Sequence, residues 1–205
     1  MKINLAATKT NLFKVKKNLE LSREGFELLD EKRRILMNEL TTIVHIAESL
    51  QHDVNDALKQ AYELMDKTIV LSGRKKIEEL ALAVNIKSTI FLSQKKVMGV
   101  NIPVIDLKVS ENPPYYSPHD VAFLVDESIL KFKEVLKLIT KLAEKKISLL
   151  RLAKEVQKTI RKVNALEKVH IPNFRENLKF INDRLDEESR EAFSMSKLIK
   201  KRIKS

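Results

Sequence analysis

Cysteine and tryptophan are absent from this 205-residue chain, glycine occurs only three times and proline five times. Without cysteine there is no disulfide and no cysteine-ligated metal, and the redox compartment stays open, with the cytoplasm merely compatible. Three glycines cannot assemble a phosphate-cradling loop. So few helix breakers among 33% charged residues point to long helices with little loop. No apolar run of about 18 residues is present, and no signal-like segment, so the chain is expected neither to span a membrane nor to use an evident secretory route. No Ser-His-Asp or Cys-His set offers itself. His45 and His52 lie seven apart but lack further ligands at metal spacing. The expectation is a protein with no catalytic, cofactor-binding or metal-binding residues of its own.

What the chain has is charge and periodicity. The formal net charge is +11, which implies an anionic partner or simply lysine-rich solvated helix faces. From Leu12, alternate steps of three and four land on Leu12, Val15, Leu19, Ser22, Phe26, Leu29, Arg33, Leu36, Leu40, Ile43, Ala47, Leu50, Val54, Ala57, Ala61 and Leu64. Only Ser22 and Arg33 are polar. A seven-residue repeat held this long drifts around a straight helix, so the helix must supercoil left-handedly about a partner. At about 1.5 Å per residue the run reaches roughly 80 Å, far beyond a helix of a compact domain. A second long helix must lie along it.

Thr8 or Thr10 is a suitable cap for the first helix, which should run to about Leu71 and stop at Ser72-Gly73. Residues 74–83 read as a short further helix. Residues 85–97 and 102–109, rich in β-formers around Gly99, read as a β-hairpin, with Pro103 tolerated near the start of an edge strand. A proline-rich loop, 111–118, precedes a helix start at Ser117-Pro118. The return helix carries Phe132, Leu136, Ile139, Ala143, Ile147, Leu150, Ala153, Val156, Ile160, Val163 and Leu166 at threes and fours. Connectivity makes the two long helices antiparallel, with both termini at one end. The fold class is therefore all-α: a long antiparallel two-helix left-handed coiled coil with a small β-hairpin insertion. Its parts are a shaft helix (1–72), a short helix with hairpin and loop (73–117), and a second shaft helix (118–205). Pro172 falls inside that second helix and must remove one ladder bond and bend or loosen it. If Leu71 faces Pro118, Thr8 faces Asn182 to within a heptad, and the last stretch of the second helix projects unpaired.

The stretch Thr159-Ile160-Arg161-Lys162-Val163-Asn164-Ala165-Leu166-Glu167-Lys168-Val169-His170-Ile171-Pro172 closely resembles the signature of the D subunit of V-type and archaeal-type rotary ATPases. Thr8 to Leu12, Val97 to Pro103 and Asp183 to Glu188 fit the same family, so the resemblance spans essentially the whole chain. Ala7 departs from the pattern, standing where a proline is common. The resemblance implies a central rotor axle whose termini enter the hexamer of catalytic A and B subunits. The F subunit would pack on its side, and its turning end would sit in the C subunit (called d in eukaryotes) above the membrane ring. ATP chemistry would then belong to the partners. It also implies a peripheral, cytoplasmic position in a membrane-bound complex for ATP synthesis and hydrogen ion transport.

In that arrangement Lys9, Lys14, Lys16 and Lys17, with Lys197, Lys200, Lys201 and Arg202, form a ring-facing tip. Tyr62, Met65 and Ile69, apolar but off the seam, are the candidate flank for the F subunit. Arg33 reads as a snorkelling or register-setting polar layer or as a partner contact, and Asn164, beside the seam, has the same readings. Two other functions fit a basic coiled coil. A prefoldin-like holdase would grip clients with apolar helix tips, and these tips are basic. A nucleic-acid scaffold would interleave aromatics with its basic residues, and the tips do not, so no nucleic-acid partner is expected.

Overall fold

A coiled coil has to show its heptads as burial, and here it does. The computed structural model describes residues 6–84, 86–110, 116 and 123–204, and the expected helix start at Ser117-Pro118 and most of the proline-rich loop lie outside the described residues. The elements in chain order are α1 (Lys9–Ser72), α2 (Arg74–Ala83), β1 (Lys87–Val97), β2 (Val100–Ser110), α3 (Phe123–Ala165), a π-helical turn (Leu166–His170) and α4 (Ile171–Lys204). Two compact units result. One joins 36–155, and the other joins 1–35 with 156–205.

Helix α1 starts at a threonine cap: the Asn11 amide donates to Thr8 Oγ1 at 3.2 Å, occupying a donor that the helix cannot satisfy itself. It ends before Gly73, whose φ of 81° suits a residue without Cβ. All sixteen heptad positions between Leu12 and Leu64 are buried or half-buried. Ala47, Val54, Ala61 and Thr68, spaced by seven, are buried. Arg33 is half-buried and pairs with Asp30.

In the 36–155 unit, three contacts set direction and register. Thr68 Oγ1 lies 3.1 Å from Ser128 Oγ, the Tyr62 and Phe132 rings meet edge to face at 5.8 Å, and Lys146 Nζ donates to Gln51 Oε1 at 2.7 Å. As numbering falls along α1 it rises along α3, so the helices are antiparallel. Pairing Leu71 with Pro118 would put Thr68 opposite 121, but its partner is Ser128, one heptad further along. The hydroxyl pair is buried, and each oxygen also lies within bonding distance of a carbonyl of its own helix, Thr68 Oγ1 2.7 Å from Leu64 and Ser128 Oγ 2.8 Å from Leu124. The two hydroxyl protons are thus shared among these three contacts, and neither oxygen is left without a partner.

The expected seam of α3 needs correction. Leu136, Ile139, Ile147 and Leu150 are exposed, and the buried positions are Val125, Ser128, Val135, Leu142, Ser148 and Leu152. The expected and observed stripes meet again at Val156 and Val163. Two of the buried positions are serines, neither of them on the expected stripe. Ser148 is accommodated because its Oγ bonds the Glu144 carbonyl at 2.7 Å.

In the other unit the helix is expected to bend or loosen at Pro172, and it loosens into a wider turn just before the proline. The Ile171 amide bonds to the Leu166 carbonyl, five residues back, closing a π-turn directly before the proline. The buried positions explain why that turn is kept. Val156 and Val163 are seven apart, Val163 and Ile171 are eight apart, and Phe174 and Ile181 are seven apart again, with Phe174 half-buried. The wider π-turn absorbs one extra residue, so the apolar stripe stays on one side. Pro172 then sits at the start of a fresh α-helix, where its missing N–H costs least.

The hairpin pairs Val97 with Val100 next to the turn and Lys87 with Ser110 at its far end. Met98 and Gly99 between them both have positive φ, 48° and 82°, as a two-residue hairpin turn that matches strand twist requires.

Candidate interaction surfaces

The hairpin is held to α3 through the outer edge of β2. The Ile105 amide donates to Glu144 Oε2 at 3.0 Å, and the Asn101 carbonyl accepts from Arg151 Nη1 at 2.8 Å. Glu144 and Arg151 are seven apart, so they stand on one face of α3. Asn101, Pro103 and Ile105 share a parity and turn their backbone groups away from β1, so Pro103 lacks only an N–H that the ladder does not use. Burial pushes the Glu144 carboxyl up, but the Ile105 amide and Lys145 at 2.8 Å outweigh it and hold it below the ordinary 4.5. A carboxylate held down in the fold stabilises it above the unfolded value, and that contribution is lost as pH falls through the folded value. The Ile105 amide nitrogen shift, followed by NMR in the full chain, is therefore expected to titrate with a midpoint below 4.5. In Glu144→Gln that titration should vanish while the hairpin stays folded. Beyond β2, Tyr116 donates to Asp126, and burial with that carboxylate raises the phenol to about 12. Neither anchor was foreseen, since pairing between segments far apart in the chain leaves no local pattern.

A second surface lies on the helices of the same unit. The α3 stripe of Leu136, Ile139, Ile147 and Leu150 is apolar and partly exposed, most of all at Leu150. Tyr62 is exposed on α1, while Met65 and Ile69 are half-buried. Met65 lines an apolar groove of about 370 Å³ between α1, α2 and α3, with Ile77, Leu80 and Phe132 on its walls.

The third surface is basic. Lys9, Lys14, Lys16 and Lys17 are exposed on the first turns of α1, whose opening turn carries no acidic residue. Lys197, Lys200, Lys201 and Arg202 are exposed near the end of α4, in the same unit. Lys197 Nζ stands 4.5 Å from the Phe193 ring centroid, a cation–π distance. Leu185 is the last half-buried residue of α4, and every side chain from 186 to 203 is exposed, including Phe193, Met195, Leu198, Ile199 and Ile203. The helix has outrun its partner.

The residues that carry the family resemblance surround the π-turn. Asn164, Glu167 and Lys168 are exposed, so Asn164 is not in the seam. Ala165, Leu166 and Pro172 are half-buried, and Ile171 is buried. His45 and His52 are both exposed, and His45 faces Glu48 at 3.7 Å. Among the described residues no group of three His, Asp or Glu side chains is placed to hold a metal, and no helix is long and apolar enough to cross a membrane.

The chain matches the family described as the D subunit of ATP synthase over residues 11–201. It is 35% identical to the A-type ATP synthase D subunit of Thermococcus sibiricus, over 97% of this chain and 94% of that one. Against the A-type D subunit of Pyrococcus furiosus the identity is 36% over the same shares. Against the V-type ATP synthase D subunit of Thermotoga neapolitana it is 31%, over 98% and 99%. With a heptad-bearing helix pair, an inserted hairpin and a match over nearly its full length, this chain belongs to the D-subunit family of ATP synthases.

Proposed function

We propose that this chain is the central-stalk axle of a V-type or A-type ATP synthase, a non-catalytic subunit that couples ATP turnover in the A/B hexamer to ion movement through the membrane ring. Torque needs stiffness, and the uninterrupted α1 with its continuous buried seam provides it. Turning past three similar catalytic interfaces needs a tip without deep anchors, since a few aromatic hot spots would hold one angle. The observation that carries the reading is the run of exposed side chains from 186 to 203. An unpaired helix that still bears Leu198, Ile199 and Ile203 needs a socket, and the central cavity of the hexamer is that socket. Its lysines favour the negative end of the helix dipole and meet polar or acidic walls, together with Lys9, Lys14, Lys16 and Lys17.

Tyr62, Met65 and Ile69, with the exposed α3 stripe beside them, form the flank for the F subunit. The turning end belongs with the C subunit (d in eukaryotes), at the cytoplasmic face of the membrane. The residues around the π-turn keep the axle in register where the two helices approach the hexamer.

Deleting residues 194–205 and reconstituting the complex tests this. The helix pair and binding of the F subunit are expected to survive, while docking into the hexamer and ATP turnover fall partially, because the paired shaft still enters the cavity. Unchanged affinity and turnover would make the tail a merely solvated end. Loss of F-subunit binding would place the opposite end of the chain in the hexamer.

A further inference from the structure

The two edges of the hairpin are treated in opposite ways. On β2 the three outward-facing positions nearest the turn are closed: Pro103 has no N–H to offer, the Ile105 amide is bonded to Glu144 and the Asn101 carbonyl to Arg151. On β1 the register puts Lys96, Gln94, Leu92, Ile90 and Ser88 opposite Asn101, Pro103, Ile105, Leu107 and Val109. In an antiparallel ladder both members of such a pair turn their N–H and C=O outward. Among the described residues nothing pairs with the outward side of those five positions, which present a row of backbone donors and acceptors along an eleven-residue strand, and every one of them is exposed. Ile90 and Leu92 are 57% and 72% exposed on one face of the strand, and Phe91 is 50% exposed on the other. Natural sheets blunt open edges with short strands, proline or charge. Here the strand is long, and between Ser88 and Gln94 the edge carries neither charge nor proline.

We propose that the free edge of β1 is a docking site for an extended acidic segment of a partner protein, added as a third antiparallel strand. Charge selects the occupant. The hairpin carries Lys87, Lys95, Lys96 and Lys108 against the single carboxylate of Asp106. A second copy of β1 laid antiparallel with Ser88 across from Gln94 would set Lys87 of each copy across from Lys95 of the other, and like charges directly opposite destabilise a strand pair. An acidic strand with alternate apolar residues reverses that sign and covers Ile90 and Leu92. Main-chain bonds supply the affinity and the side-chain shelves supply the choice of register.

The test uses the full-length chain and blocked peptides of about nine residues, the length of an ordinary strand. One peptide alternates Glu with Val, a second replaces Glu by Lys, and a third is the acidic peptide N-methylated at alternate amides. The acidic peptide is expected to slow hydrogen exchange at the Ile90, Leu92 and Gln94 amides while leaving the ladder amides of Phe91 and Ser93 unchanged. The lysine and N-methylated peptides should bind at least about tenfold more weakly. Leu92→Pro should weaken binding of the acidic peptide to the same degree. It removes one outward N–H, as Pro103 does on β2, and cross-strand NOEs report whether the hairpin persists. Should that variant lose its hairpin, the N-methylated peptide on the unaltered chain decides. Equal binding of all three peptides, protection around Met65 and Phe132 instead of β1, or self-association of the chain through this edge would each overturn the proposal.

Discussion

Leu152→Asp is expected to destabilise the helix pair by about 5 kcal/mol, whereas Leu150→Asp, two residues earlier, should change stability by less than about 0.5 kcal/mol. Leu152 has no exposed surface and Leu150 is 60% exposed. Truncation of a buried leucine already costs about 2–5 kcal/mol through lost burial and the cavity left behind. A carboxylate in the same apolar place adds the cost of its own desolvation. For a chain of this length such a loss corresponds to a fall in Tm of roughly 10–20 °C, which thermal unfolding followed by circular dichroism reads directly. Equal shifts for the two variants would show that the α3 seam runs through Leu150, as the heptad pattern alone suggests. Leu150→Asp has a second use. If it leaves folding untouched yet weakens binding of the F subunit, the exposed α3 stripe is part of that flank.

The π-turn carries the second large effect. Deleting Val169, which is half exposed, together with Pro172→Ala should be tolerated. Val163 and Ile171 then fall seven residues apart, and an ordinary α-helix keeps Ile171, Phe174 and Ile181 on the seam. The substitution is needed because the deletion leaves the proline in a helix interior, where it costs about 3 kcal/mol. Deleting the exposed Glu176 instead removes a residue beyond the turn, where no wider turn takes up the slack. Ile181, only 1% exposed, rotates by about 100° off the seam, and a loss of about 2–5 kcal/mol is expected. Chemical denaturation of the two variants checks the order. If the Val169 deletion proves the worse of the two, the turn does something other than correct the register. Pro172→Ala alone should leave the turn in place, since the seam and not the proline demands the extra residue.

Both experiments concern the same boundary between what is local and what is not. The order of residues was sufficient for α1, because sixteen heptad positions in a row leave a helix only one face to bury. It was sufficient too for the stop at Gly73, the hairpin around Gly99, and the basic, unpaired end of α4. In each of these the signal sits in consecutive residues, where periodicity, capping and turn chemistry act directly. Which stripe of α3 forms the seam emerged only from packing. That helix carries two apolar stripes, and hydrophobicity ranks Leu136, Ile139, Ile147 and Leu150 above Ser128 and Ser148. A serine is buried nevertheless when its hydroxyl is bonded by its own helix and its small volume lets the partner come close, neither of which hydrophobicity measures. The pairing offset between the helices, one heptad from the expected value, was likewise set across the contact. So were the hold of Glu144 and Arg151 on β2 and the open edge of β1. These depend on which of several energetically similar faces meet, and that choice is made by packing between segments far apart in the chain.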